Sequence, residues 1–536
     1  WTWSGWVKRS GLGNPGGPNT SHDLFGVGAG SRLRFTSGDN LRLESPSGNH
    51  TFITTQVFRD PHAWYHIVLA FDSTQATDTN RRKLYVNGSQ VTDFSSTTFT
   101  ELGQNAEWNI NSTSEHQIAK SNLADYFGGY LAEVVLVDGS ALAPTSFGER
   151  DDNNVWRPIS IEDAGLTFGN NGFYLPFTNS AGLGQDYSGS TSTTVVQKNT
   201  YNAGSEINDG DSSANPSTGM LFIPPVTGTV SKIELNASSR GFSGVTVRLE
   251  TDGGSGTAPS GTIVTNGEVT GITSSGAGLK TATFSTPPEV TAGVKYWIVL
   301  RGDTGTWGWQ HDVAGVGPAL GLYQGALGYF SGRGVGHYVY MNGNHWTAVN
   351  SPTQTTDTCT DNHCTWSPII SYNKGVSFSE GNSRSTTSTS SGDVGGLISG
   401  FELPTSGKYY WEWVTNTVGT TPLLGWRDIT TWSPNSYTSS ENNAAKFITG
   451  NDYNTGSGRI LSSTIDGSTS LSQAAYGNFL TVSGGNPLAN GTVLGCAYDA
   501  DNGLAWFSYN NTWVDGNGTD SSSTVKGEIE AGTSGS

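Results

Sequence analysis

Residues 64–94 read WYHIVLAFDSTQATDTNRRKLYVNGSQVTDF, and the two ends of this stretch decide the fold class. WYHIVLAFD, from Trp64 to Asp72, is a short apolar run rich in β-branched and aromatic side chains. RRKLYVNGSQVTDF, from Arg81 to Phe94, has Asn87-Gly88 at its centre, the pair that best fits a type I′ turn because both of its central residues need φ > 0. The stretch therefore reads as a strand followed by a hairpin. Upstream, LRFTSGDNLRLES (residues 33–45) repeats the pattern around Gly38-Asp39-Asn40, and downstream YLAEVVLVDG (Tyr130 to Gly139) adds another strand.

The whole chain is written this way. Of 536 residues, 73 are Gly, 34% are apolar and only 13% are charged, the composition of short strands joined by many turns. Apolar residues at helical spacing are hard to find. The length exceeds what one core supports, so the expectation is an all-β chain of three tandem antiparallel β-sandwich (jelly-roll) domains. A net charge of −18 argues against a nucleic-acid partner, which requires Lys and Arg to neutralise phosphates. No apolar run approaches the roughly 20 residues that span a bilayer, so membrane insertion is not expected. Three cysteines cannot build a disulfide framework.

Residues 1–190 read as the first sandwich. A Ser/Thr/Asn/Gly/Asp-rich linker follows over 190–215, and a second sandwich over 205–342 carries GMLFIPP, TVSKIELNAS, VTVRLET, KTATFS and VKYWIVLRG. Residues 343–375 form a connector containing CTDNHC, and 376–536 form the last sandwich, entered through a Ser/Thr-rich stretch expected to be a long loop. Trp64, Tyr85, Trp297, Trp411 and Trp506 sit in strand patterns and are expected in cores, as is Cys496 in its apolar strand.

QVFRDPHAWYHIVLAFDSTQAT, NRRKLYVNGSQVT, YLAEVVLVDGSALAPTSFGE, NNGFYLPF and GQDYSG resemble the laminin-G-like, concanavalin-A-like jelly roll, and more narrowly its version in marine bacteriophage fibre and appendage proteins. In that family the DYSG stretch is followed at once by an N-x-W-T segment, which here is GNHWT (Gly343 to Thr347). The resemblance thus implies that the middle sandwich is inserted between two pieces of the first and projects from it, since insertions survive where chain ends lie close together on a surface. GKYYWEWVT and VLGCAYDADNGLAWFSYNNTWV resemble the SPRY fold, with Gly495, Asp499, Gly503, Phe507 and Asn510 in the matching places. Together these resemblances imply a virion-associated, extracellular fibre, appendage or decoration protein. Its implied partners are host-surface glycans or proteins and other virion proteins, and its implied assembly a homotrimer.

Catalysis finds little support in the sequence. Glucanases on this fold need two carboxylates roughly 5 to 10 Å apart, whereas Glu133 and Glu412 each stand alone in a strand and read as hydrogen-bonded or outward residues. The chain has no G-x-S-x-G elbow, phosphate loop or H-E-x-x-H motif. Cys359 and Cys364 flank a short loop and are the disulfide candidates, the spacing with His363 being wrong for common zinc modules. No cofactor is required. The resemblance to laminin-G-like and lectin-like sandwiches, which often hold Ca²⁺ with loop carboxylates, makes Asp209 and Asp211 in NDGD candidate Ca²⁺ ligands, with Asp151 and Asp152 in ERDDNN as a second acidic turn. Sequons such as Asn111, Asn236 and Asn490 are what this Asn/Ser/Thr content produces by chance.

Aromatics supply the functional hint, because sugar rings present C–H faces that stack on Trp and Tyr. Trp307, Trp309 and His311 in GDTGTWGWQHD, with Tyr323, Tyr329 and Tyr338 downstream, fall in a Gly-rich segment expected to be loops. Trp426, Arg427, Trp432 and Tyr437 in GWRDITTWSPNSY occupy the SPRY-like region where that family places partner-binding loops. The sequence thus points to a non-catalytic adhesion protein. The alternatives are a secreted carbohydrate-active enzyme or its accessory module, and a structural protein cementing capsid or tail subunits.

Overall fold

The computed structural model describes residues 1–13, 22–27, 31–44, 50–99, 103–112, 114–120, 126–189, 193–199, 205–209, 217–237, 242–302, 307–311, 321–324, 328–331, 336–369, 376–387, 399–401, 404–416, 423–425, 447–449, 457–461, 476–481, 490–502 and 504–514. These form two compact units, Trp1–His363 and Cys364–Ser536. The architecture is all-β and antiparallel. Among the described residues, helix is confined to Asp78–Arg81 and the 3₁₀ turns Pro144–Ser146 and Glu380–Asn382.

The first unit opens with a sandwich of two six-stranded sheets. One runs Phe173–Leu175, Gly129–Val137, Thr2–Arg9, Trp64–Phe71, Arg82–Val86, Ser89–Gln90; the other runs His116–Ile118, His22–Val27, Ser31–Phe35, Asn40–Glu44, His50–Val57, Phe94–Phe99. Both hairpins read from the sequence form, with Leu33 opposite Leu43 in one and Val86 opposite Ser89 in the other. Trp3, Val7, Phe25, Leu33, Phe35, Leu43, Ile67 and Leu69 meet in one core between the sheets. Every residue of Thr2–Arg9 is buried, so this central strand is covered on its outer face as well. There Trp6 joins Trp64 and Ala132, with Trp156 and Cys359 packed against them.

A second sandwich follows in the same unit. Its seven-stranded sheet contains Thr193–Asn199, His337–Asn342, Gly228–Ala237, Trp307–His311 and Ser205–Asp209, with Gly278–Thr283 and Glu289–Val290 also on Gly228–Ala237. The facing six-stranded sheet contains Phe242–Asp252, Tyr296–Arg301 and Ser217–Phe222. Met220, Ile233, Leu249, Ile298 and Val339 share its core. The 190–215 stretch, expected as a linker, instead supplies two strands of this sheet, because Val195, Val196 and Ile207 provide β-branched positions that pair with existing edges.

The chain enters and leaves this sandwich side by side, Thr193 pairing with Asn342. Just outside, Asp186 ties the two crossings together. Its carboxylate accepts from Tyr174 N (2.9 Å), Ser188 N (2.9 Å) and Asn344 N (2.7 Å), while its own N–H donates to His345 Nδ1 (3.0 Å). Trp346 N donates to Gly184 O at 2.8 Å, and the Trp346 ring packs edge-on against Phe173 of the first core at 4.9 Å. A Cβ on Gly184 would stand 1.7 Å from Trp346 O, so this approach requires glycine.

In the second unit, Lys408–Thr415, Thr492–Asp499, Leu504–Tyr509 and Thr512–Val514 form one four-stranded sheet, and Leu423–Gly425, Phe447–Thr449, Ser457–Leu461 and Tyr476–Thr481 another. Within the stretch expected as a long loop, Val376–Ser379 and Arg384–Thr387 pair as a hairpin. Trp64, Trp297, Trp506 and Cys496 are buried as expected, whereas Tyr85 and Trp411 are half-buried.

Candidate functional site

The Asn87-Gly88 turn positions a cleft at one edge of the first sandwich. Asn87 and Gly88 adopt φ 49° and 78°, as a type I′ turn demands. A Cβ on Gly88 would lie 2.5 Å from the Trp156 ring, so the turn needs glycine for space as well as for conformation. Asn87 Oδ1 accepts from His66 N at 2.8 Å and locks the turn to the neighbouring strand. After Ser89–Gln90 the chain crosses to the other sheet, where Thr55 N and Oγ1 both donate to Asp93 O at 3.2 Å.

These anchors border a half-open cleft of about 290 Å³ lined by Thr55, Gln56, Val86, Asn87, Ser89, Gln90, Val91, Thr92 and Asp93. The side chains of Gln56, Ser89, Gln90, Thr92 and Asp93 are exposed and carry no hydrogen bond to other described residues. Two amides, two hydroxyls and one carboxylate offer both donors and acceptors at short range, the inventory that matches vicinal hydroxyl groups. The volume sits at the small end of ligand pockets, room for one ring-sized group. Sequence reasoning missed this cleft. Its residues come from two sheets, and the one available signal was the NGSQVTD run that follows the turn.

Two buried clusters nearby have the composition of catalytic centres. Ser4 Oγ lies 2.8 Å from His66 Nε2, but Trp156 Nε1–H donates to His66 Nδ1 at 2.9 Å. Indole nitrogen only donates, so Nδ1 is the bare nitrogen, and Nε2 carries the proton and donates to Ser4. A base must accept the serine proton, so this tautomer is the wrong one. Burial also lowers the His66 pKa to about 3, keeping the ring neutral. In the second cluster, Glu133 occupies a β-bulge opposite the step from Ser4 to Trp6, at φ 50°. Burial raises its carboxyl pKa, and Tyr174 Oη donates to it at 2.5 Å.

The other sequence candidates are distributed as follows. Trp307, Trp309 and His311 lie on a strand, not in a loop: the strand pairs with Ser205–Asp209, placing Trp307 opposite Asp209 and His311 opposite Ser205. The Trp-Gly-Trp alternation suits a strand, and this outweighed the glycines. Tyr323 and Tyr329 are register partners in a hairpin of the other sheet of that sandwich. The structure therefore does not place the two aromatic groups on one loop cluster. Asp209 belongs to a strand ladder, while Asp211, Trp426, Arg427, Trp432 and Tyr437 lie outside the described residues. Among the described residues no group of three His, Cys, Asp or Glu side chains converges as a metal site. Asp151 caps its own turn, accepting from Asn153 N and Val155 N. Glu412 accepts from Tyr410 Oη.

The disulfide expected between Cys359 and Cys364 is not formed, and both are free thiols. Cys359 packs into the Trp6–Trp64–Ala132 cluster, where burial pushes its pKa up to about 12, while Cys364 is exposed. The connector is held by other means: Lys8 Nζ donates to Asp357 Oδ2 (2.6 Å), Asn362 Oδ1 (2.8 Å) and His363 O (2.9 Å).

Residues 1–145 match the laminin G type family model described as Concanavalin A-like lectin/glucanases superfamily. All nine cleft residues fall within that match. The strand Phe173–Leu175 and the connector, which complete the sandwich, lie beyond it. No curated protein matches the chain.

Proposed function

We propose that this protein is a non-catalytic, glycan-binding adhesion protein whose cleft at Asn87–Asp93 receives a sugar unit. One observation carries the reading: the cleft presents free amide and hydroxyl groups together with a single carboxylate, Asp93. Glycoside hydrolysis uses two carboxylates flanking the scissile bond, so this arrangement suits holding a sugar and not cutting one. The lectin/glucanase-type match over the same residues supports carbohydrate as the ligand class.

The finer role we infer is that of a virion-associated fibre, appendage or decoration protein acting outside the cell against host-surface glycans or proteins. Its support is the resemblance of the first and last sequence regions to marine phage proteins. A cleft this small binds weakly, and copy number on a particle compensates, since multivalency raises avidity by about 10²- to 10⁴-fold.

A glycan array probed with the intact protein tests the reading, alongside a variant carrying Gln90→Ala and Asp93→Ala. Binding lost in the variant, with its circular dichroism unchanged, supports it. Binding that survives both substitutions, or glycan cleaved during incubation, refutes it.

A further inference from the structure

A second surface lies on the other sandwich of the first unit, built by a different sheet and independent of the cleft. Across its seven-stranded sheet the register places Lys198, Tyr338, Glu234 and Thr281 in one row, and Val195, Tyr340, Lys232 and Thr283 in the next. Inward positions on the same strands, Val339, Met341, Ile233 and Leu235, are fully buried, so these rows occupy the outer face. Among the described residues that face is open: Val195 is 38% exposed and Leu279, at its margin, 51%.

The two tyrosines differ in their partners. Tyr340 is braced, its hydroxyl donating to Glu234 Oε2 (2.8 Å) while Lys232 Nζ donates to Glu234 Oε1 (2.7 Å) and sits 4.0 Å from the ring centroid. Tyr338 and Lys198 are open. Lys198 Nζ lies 5.6 Å from the Tyr338 ring, and among the described residues neither the ammonium nor the phenol has a hydrogen-bond or carboxylate partner.

We propose that this face binds an acidic polysaccharide lying along the strand His337–Asn342, with pyranose rings on Tyr338 and Tyr340 and an anionic substituent on Lys198 of the neighbouring strand. Three features argue for it. Two half-buried tyrosines stand at alternate positions of one strand, where the backbone advances about 7 Å, a spacing at which one chain reaches both. Hydroxyl, ammonium and carboxylate groups flank the rings, giving partners for sugar hydroxyls. Lys198 has no carboxylate partner among the described residues, so its ammonium offers a local attraction for an anion that the chain's net charge of −18 otherwise repels. The anion is a uronate carboxylate or a sulfate ester, which share this chemistry.

The test is biolayer interferometry of the full chain against polygalacturonate, dextran sulfate and neutral dextran. The expected result is binding to an acidic polymer but not to dextran, weakened about tenfold or more by Tyr338→Ala and by Lys198→Glu, the latter an exposed change that leaves the fold intact. The polymer that binds identifies the anion. The cleft variant with Gln90→Ala and Asp93→Ala should bind these polymers as the wild type does, separating failure here from failure of the cleft. No binding to either acidic polymer, equal binding to dextran, an equal loss in the control Lys295→Glu, or unchanged binding in Lys198→Glu would each overturn the proposal.

Discussion

Lys8 Nζ lies 2.6 Å from Asp357 Oδ2, and the two buried residues are 349 positions apart in the chain. The central strand of the first sandwich is thus completed by a segment that arrives only after the second sandwich has been traversed. Asp357 Oδ1 also accepts from Trp64 Nε1 at 3.1 Å, joining the connector to the aromatic cluster on the outer sheet face.

Asp357→Ala leaves the Lys8 ammonium buried opposite no carboxylate. Breaking one side of a buried ion pair costs about 3–5 kcal/mol, so equilibrium urea unfolding should show a loss of that size in the first unit. Replacing both residues, Lys8→Met with Asp357→Leu, should recover much of it.

Trp346→Ala tests the same dependence through packing. The ring contacts Phe173 and Phe25 of the first core, so its removal should destabilise that sandwich by roughly 3 kcal/mol. Near-ultraviolet dichroism and urea unfolding would read the change.

Acid should weaken the first sandwich through His66. Its folded pKa, about 3, lies below the unfolded value of 6.5 because burial penalises the charged ring. Between these values the unfolded state binds more protons, so the stabilisation is fully present above pH 6.5 and is lost as pH falls toward 3. His62, His116 and His345 are shifted in the same direction by burial. The unfolding free energy from urea titrations should fall by roughly several kcal/mol across that window, and His66→Gln should flatten the curve.

Much of this fold was legible in the sequence, for local reasons. The hairpins at Gly38–Asn40 and Asn87–Gly88 follow from turn chemistry, and Trp297 and Trp506 from apolar strand patterns. What stayed hidden depends on tertiary partners. Nothing local marks Lys8 as buried, and nothing marks Cys359 as an aromatic-cluster thiol in place of a disulfide half. The cleft was missed for the same reason: Gln56 and Gln90 are ordinary polar residues until the register brings the strand ends together. Tyr338 was noticed for its ring, but its outward position beside Lys198 appears only once strand Thr193–Asn199 is paired.

Gly88→Ala should damage the cleft without touching its lining. The added methyl meets Trp156 at 2.5 Å and the φ of 78° disfavours a side chain, for a cost of about 1–3 kcal/mol. Glycan affinity should drop along with stability, measurable by thermal melts with and without ligand.

The most direct measurement is calorimetric titration of an array-selected oligosaccharide into the full chain, with the sugar analysed by mass spectrometry afterwards. The account predicts saturable binding, an intact oligosaccharide, and loss of heat in the Gln90→Ala, Asp93→Ala variant. Shortened sugar with new reducing ends, or undiminished heat in that variant, would contradict it.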